Sequence, residues 1–209
     1  MYQSFFKRLI DIVFALIGLP IFLISFVIFA PIIYFTDRGP VFYNAPRIGQ
    51  GGKLFKMYKY RSMYVNAPDI RLADGSTYNG EDDPRVTPIG RFMRKTSIDE
   101  LPQFLNVLIG NMSIIGPRPD TPAGAHRYPE EEVYFLQVKP GITGYSQAYY
   151  RNSVDGKTKA LHDMYYAQNI GFVFDMKIFF KTIATVLLRK GTYKDESPVD
   201  TEEKETVEL

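Results

Sequence analysis

From Leu9 to Phe35 the chain reads LIDIVFALIGLPIFLISFVIFAPIIYF, in which Asp11 is the sole charge. A helix over that run can traverse a hydrocarbon layer of roughly 30 Å, so whatever folds behind it works at a membrane. The run is too long for a cleavable signal, and no small-residue cleavage pattern follows it. The simplest reading is one straight transmembrane anchor. Two features oppose it. Pro20, after Gly18-Leu19, removes a helix hydrogen bond near the middle of the run. Lys7 and Arg8 precede the run, while Arg38, Arg47, Lys53, Lys56, Lys59 and Arg61 follow it. The positive-inside rule places both flanks on one side, which a re-entrant helix broken at Leu19-Pro20 satisfies and a crossing does not. The re-entrant form, over residues 1–36, is the expectation.

The remaining chemistry is bounded by composition. With 209 residues, 45% of them hydrophobic, the chain can bury one core with an appendage. A net charge of +2 is too small to argue for nucleic acid, so no nucleic-acid partner is expected. Cys is absent and His126 and His162 are the only histidines. Disulfides, thiolate metal sites and Cys nucleophiles are excluded, and a histidine triad is disfavoured. Catalysis would rest on Asp, Glu, Lys, Arg and Tyr.

After the turn at Asp37-Arg38-Gly39-Pro40, VFYNAPRIGQGGKLFKMYKYRSM reads as two short strands around the glycine-rich turn Gly49 to Gly52. Two-residue alternation puts Lys59 and Arg61 on one face, either a solvated edge or an anion-binding face. Residues 64–90 read as a long polar loop. FVFDMKIFFKTIATVLLRKG, with Lys177, Lys181, Arg189 and Lys190 interleaved, predicts a helix against the membrane surface or the N-terminal helix. The acidic end, KDESPVDTEEKETVEL, lacks the apolar residues of a packed element.

The stretch KTSIDELPQ sets Asp99 and Glu100 side by side. Ser97 with Glu100 has the spacing of a capping box, and Pro102 belongs in a first helical turn, so a helix should begin near Asp99. Leu101, Phe104, Leu105 and Leu108 follow with helical spacing, as core positions. The pair can instead carry chemistry: two carboxylates can hold Mg2+ beside substrate phosphates, or one can attack phosphorus. Downstream, Pro117 and Pro119 stiffen the chain on both sides of Arg118, as a linker or as a rigid mount for phosphate recognition. Tyr149 and Tyr150 could stack on a base or pack as ordinary tyrosines.

FKMYKYRSM, DDPRVTPIGRFMRKTSIDELPQFLNVLIGNMSIIGPRPD and KPGITGYSQAYYRN resemble, in order, the motif series of the bacterial sugar transferase family, the small monotopic phosphoglycosyl transferases. With the N-terminal helix, the resemblance covers nearly the whole chain. It implies transfer of a sugar 1-phosphate from a UDP-sugar to a polyprenol phosphate such as undecaprenyl phosphate, with release of UMP and dependence on Mg2+. By the same resemblance Asp99 matches the covalent nucleophile and Glu100 the second acid, with metal binding by Glu100 and Asp99. Arg118 matches the arginine of the Pro-Arg-Pro motif, and Lys59, Arg61, Arg85 and Arg151 fall in motifs implied to contact substrate phosphate. The family's helix breaks at Ser-Pro, where this chain has Leu19-Pro20.

The expected fold is therefore α+β. A re-entrant membrane helix precedes a compact cytoplasmic domain of helices, short strands and interfacial amphipathic helices over residues 37–193, and residues 194–209 form a disordered tail. The implied setting is the bacterial inner membrane, with membrane lipids as partners and a homodimer among the admitted assemblies. A rival of another class is a non-catalytic membrane-anchored scaffold binding anionic lipids or partners through its basic surface. Direct transfer without a covalent adduct is the enzymatic rival.

Overall fold

A computed structural model describes residues 2–72, 78–122, 136–151 and 154–188. One π-helical turn, Tyr2–Phe6, leads into α1, Lys7–Asp37. Asp11, Ala15, Gly18, Phe22, Ser25 and Ile33 are its buried positions, spaced as one helical stripe along its whole length. The opposite face, including Ile17, Ile24, Val27 and Phe35, is exposed.

Both ends of α1 are fastened to the same body. At the start, Arg8 donates to the Val107 and Leu108 carbonyls at 2.6 and 3.0 Å, and Lys7 pairs with Asp175 at 2.7 Å. In between, Asp11 accepts from Ser113 Oγ at 2.8 Å and the Ile114 N–H at 2.9 Å. At the end, Arg38 adopts a left-handed conformation and Asp37 accepts from Arg61 at 2.6 Å.

The break expected at Leu19-Pro20 is not an interruption of secondary structure, since α1 runs on through Pro20 and Pro31. A helix-interior proline costs roughly 3 kcal/mol. Packing on both sides of Pro20 offsets that cost: Gly18 lies so close to Phe104 that a Cβ there would stand 2.5 Å from its ring, and Phe22 and Phe26 enter the aromatic group around Phe42 and Tyr60.

Strands β1, Ala45–Ile48, and β2, Leu54–Met57, pair antiparallel as the glycine-turn pattern predicts, with Ala45 opposite Met57 and Ile48 opposite Leu54. Gly51 and Gly52 take φ of 68° and 75° in the connection, a region costly for other residues. Helix α2, Pro88–Thr96, starts on Thr87, whose hydroxyl accepts from the Gly90 N–H at 2.9 Å. A 3-10 turn, Ile98–Glu100, joins it to α3, Gln103–Ile109, which Gly110 closes at φ 98°.

Strand β3, Ser113–Ile115, pairs in parallel with β4, Gly141–Thr143. Three helices follow: α4, Tyr145–Tyr149; α5, Gly156–Gln168; and α6, Phe172–Leu187. Helix α6 packs on the start of α1, with Phe14 and Phe179 ring centroids 4.8 Å apart, and exposes Phe172, Val173, Phe180 and Leu187. Arg189, Lys190 and the 194–209 tail lie outside the described residues, as does the 73–77 part of the long loop.

Among the described residues, two apolar clusters form the core. One gathers Ala15, Met57, Val107, Ile115, Tyr166 and Ile178; the other gathers Phe22, Ile33, Tyr60 and Met93 with Ile98 and Leu101. Through Ile98 and Leu101, the second cluster grips the turn that carries Asp99 and Glu100.

Candidate active site

Ser97 does not form the expected capping box. Its backbone closes α2 in a left-handed conformation, φ 58°, and no side-chain cap bond is made; instead the Glu100 N–H donates to the Ser97 carbonyl at 3.2 Å. The reason is that α2 must end and the chain must turn within a residue, so the backbone conformation of a C-cap takes precedence over N-capping. Helix α3 accordingly begins at Gln103, not at Asp99.

The chain leaving β2 runs beside this turn, the Tyr60 N–H donating to the Asp99 carbonyl at 3.0 Å. That contact sets Lys59 against the acid pair: its Nζ stands 2.8 Å from Asp99 Oδ2 and 3.3 Å from Glu100 Oε1. Arg118 meets Glu100 from the other side in a fork, Nη2 to Oε1 at 2.8 Å and Nη1 to Oε2 at 3.4 Å. The backbone on either side of Arg118 is tied down. The Pro117 carbonyl accepts from the Gly141 N–H at 2.9 Å and the Asp120 carbonyl from the Ile48 N–H at 3.0 Å. Gly116 and Gly141 approach so closely that a Cβ on either would collide with the other segment's backbone.

The two acids differ electrostatically. Asp99 is 2% exposed; its burial, aided by the Glu100 charge, raises its carboxyl above the ordinary range against the pull of Lys59. Burial acts on Glu100 in the same sense, but Arg118 and then Lys59 outweigh it and hold that carboxyl down to about 2. Glu100 in turn raises Arg118. Burial lowers Arg151 against the attraction of Glu100, and burial with the like charge of Arg118 lowers Arg47. The cations Lys59, Arg118, Arg151 and Arg47 thus outnumber the acids, which makes the surroundings of a buried carboxylate attractive to a further anion.

Of the residues singled out in the sequence, Lys59, Asp99, Glu100 and Arg118 meet directly. Arg151 joins them through a long bond, 3.5 Å, to Ser97 Oγ. Arg61 and Arg85 lie elsewhere. Although Lys59 and Arg61 share an alternation, Arg61 turns to the C-terminus of α1, donating to Asp37 and to the carbonyls of Pro40 and Ile33 at 2.6, 2.6 and 3.1 Å. It ties the last turn of α1 to the turn that follows it. Arg85 forms a buried pair with Asp83 at 2.8 Å and donates to the Pro68 and Tyr78 carbonyls, bracing the long loop. Tyr150 stacks on His162 at 4.5 Å, while Lys181 covers the Tyr149 ring. Two further residues stand out in the structure without having been singled out as site residues. Arg47, whose charge acts on Arg118, precedes the glycine turn with no signal beyond that charge, and Gln103, the first residue of α3, buries an Nε2 that has no hydrogen-bond partner.

Among the described residues, no group of three or more His, Asp or Glu side chains could cage a metal. Asp99 and Glu100 offer two carboxylates, a number that suits Mg2+ when phosphates and water complete its coordination.

A buried acid pair met by Lys59 and Arg118, together with one N-terminal helix long and apolar enough to cross a membrane, fits the class of membrane-associated proteins. The chain belongs to the bacterial sugar transferase family, whose model matches residues 2–189. It is 41% identical over 208 residues to an undecaprenyl-phosphate galactose phosphotransferase of Salmonella typhimurium, covering 91% of this chain and 42% of that protein. It is 38% identical over 194 residues to a UDP-N-acetylgalactosamine-undecaprenyl-phosphate N-acetylgalactosaminephosphotransferase of Aeromonas hydrophila, covering 90% and 45%. The exopolysaccharide production protein ExoY of Rhizobium meliloti is 37% identical over 198 residues, covering 90% of this chain and 88% of that protein. The chain therefore spans less than half the length of the first two relatives.

Proposed function

We propose that this protein transfers a sugar 1-phosphate from a UDP-sugar to undecaprenyl phosphate through a phosphosugar ester on Asp99. The observation that carries this reading is the pairing of a buried Asp99 with Lys59 beside a Glu100 clamped by Arg118. Asp99 attacks the phosphorus bonded to the sugar; the bond to the bridging oxygen breaks and UMP leaves with the electron pair. A polyprenyl phosphate oxygen then attacks the same phosphorus, the Asp99–phosphorus bond breaks, and the carboxylate is regenerated. Lys59 favours the ionised form of Asp99 against the effect of burial, and Arg118, Arg151 and Arg47 offset phosphate charge. Mg2+, held by Glu100 and Asp99 together with the diphosphate, would supply further charge neutralisation at the leaving group.

The relatives' names support both substrates, and the buried stripe of α1 supports the setting. A helix docked on one domain at both ends presents its apolar face sideways, so it suits shallow insertion into one leaflet of the inner membrane, with the domain in the cytoplasm and α6 at the interface. Cysteines introduced at positions 2 and 45 should both resist an impermeant reagent on intact cells; labelling of position 2 alone would establish a crossing.

The decisive experiment measures UMP release by purified protein with Mg2+ and undecaprenyl phosphate across a panel of UDP-sugars. One sugar should support release, and Asp99→Asn should abolish it. UDP-sugar alone should leave a phosphosugar mass on the wild type, an adduct that direct transfer does not produce. Release surviving in Asp99→Asn would remove Asp99 as nucleophile, and a scaffold would release no UMP from any sugar.

A further inference from the structure

Pro117-Arg118-Pro119 contains one N–H, that of Arg118, so the segment can be held by the backbone chiefly through its carbonyls. Yet the Arg118 guanidinium ends a long side chain, and aiming it at Glu100 requires a fixed base. The bonds from Gly141 and Ile48 hold the backbone at its two ends, and α5 adds a side-chain hold on Asp120. Lys159 donates to Asp120 Oδ2 at 3.1 Å and, one helical turn along, to Asp163 Oδ2 at 2.8 Å. The Asp163 side chain is 1% exposed, and its other oxygen, Oδ1, is buried with no partner. Lys159 is therefore not a free surface lysine: a buried carboxylate anchors it from below, and its remaining reach goes to the residue that ends the arch.

We infer that Lys159 is a positioning residue, anchored on Asp163 and holding Asp120, that fixes the Pro117–Asp120 arch from which Arg118 reaches the acid pair. The inference rests on the reading of Arg118 as a contact made during phosphosugar transfer. It assigns the Lys159–Asp120 contact to transfer, where a purely stabilising ion pair would affect folding alone.

The test separates the clamp from the reaction. Asp120→Ala removes the contact to the arch and leaves the Lys159–Asp163 pair intact, which avoids stranding a buried charge. In the full chain without substrate, amide exchange at Ile48 and Gly141, the two donors to the arch, should become faster while the Tm stays near that of the wild type. UMP release should fall about ten- to a hundred-fold, chiefly in kcat, as expected for a misplaced charge. Lys159→Arg should keep most activity and Lys159→Met should not. Asp120→Ala with Arg118→Ala should be no slower than Arg118→Ala alone, since residues acting through one another are not additive. Unchanged exchange at both amides would overturn the clamp, whatever the enzyme does. Faster exchange with undiminished release would overturn its role in positioning. Wild-type protein silent with every donor would sink the transfer reading itself, while exchange would still decide the clamp.

Discussion

The Lys59 ammonium stands 2.8 Å from Oδ2 of Asp99, a carboxylate that the fold otherwise buries. This contact, with the Arg94 charge adding to it, opposes burial and the neighbouring Glu100 charge, both of which favour the protonated acid. An attacking carboxylate must be ionised, so under the proposed mechanism Lys59 favours the reactive form of Asp99.

Replacing Lys59 with Met should therefore raise Asp99 further and shrink its ionised fraction at neutral pH. The acid limb of the pH–rate profile for UMP release should move to higher pH, with a greater loss at pH 6.5 than at pH 8.5. A uniform loss at every pH would show that Lys59 contacts substrate without setting the ionisation of Asp99.

Arg118→Ala should reduce transfer by about ten- to a hundred-fold, the scale of a lost charge-assisted bond. It also has a stability signature. Glu100 is held down to about 2 in the folded protein, below its ordinary 4.5, so its stabilisation is present above pH 4.5 and is lost as pH falls toward 2. With solvent screening at the partly exposed arginine, the variant should lose about 1–2 kcal/mol at pH 7. The deficit should fade on acidification, which denaturant titrations at pH 7 and pH 3 would reveal.

The raised group behaves in the opposite way. Burial lifts Asp163 from 3.8 to about 6, with the Asp120 charge adding and Lys159 opposing. Its contribution to stability is full below pH 3.8 and is lost as pH rises through 6. The wild type should thus lose on the order of 3 kcal/mol from this group across that window, while Asp163→Asn should lack the decline. Parallel stability curves for the two proteins between pH 4 and pH 7 would refute it.

Gly18→Val should push α1 away from α3, because the added Cβ meets the Phe104 ring at 2.5 Å. Overpacking of this kind costs about 1–3 kcal/mol, visible as a lower Tm in detergent. Val at Ile17, which is 61% exposed, should leave the Tm unchanged.

Local patterns in the sequence were enough to determine the apolar helix, the two strands about the glycine turn, the acid pair and the arginine between prolines. Each rests on neighbouring residues: periodicity, left-handed glycines, or the restrictions of proline. Long-range packing decided the rest. Lys59 and Arg61 are equivalent by alternation, and only the placement of the α1 C-terminus sends one to Asp37 and the other to Asp99. Asp11 reads as a misplaced charge in an apolar helix until Ser113 and Ile114 arrive from about a hundred residues away. Pro20 signals a weak point in the helix, and helical structure runs on through it where Phe104, Phe42 and Tyr60 pack around it. Wherever two local outcomes cost a similar amount, the partner brought by the fold selected between them.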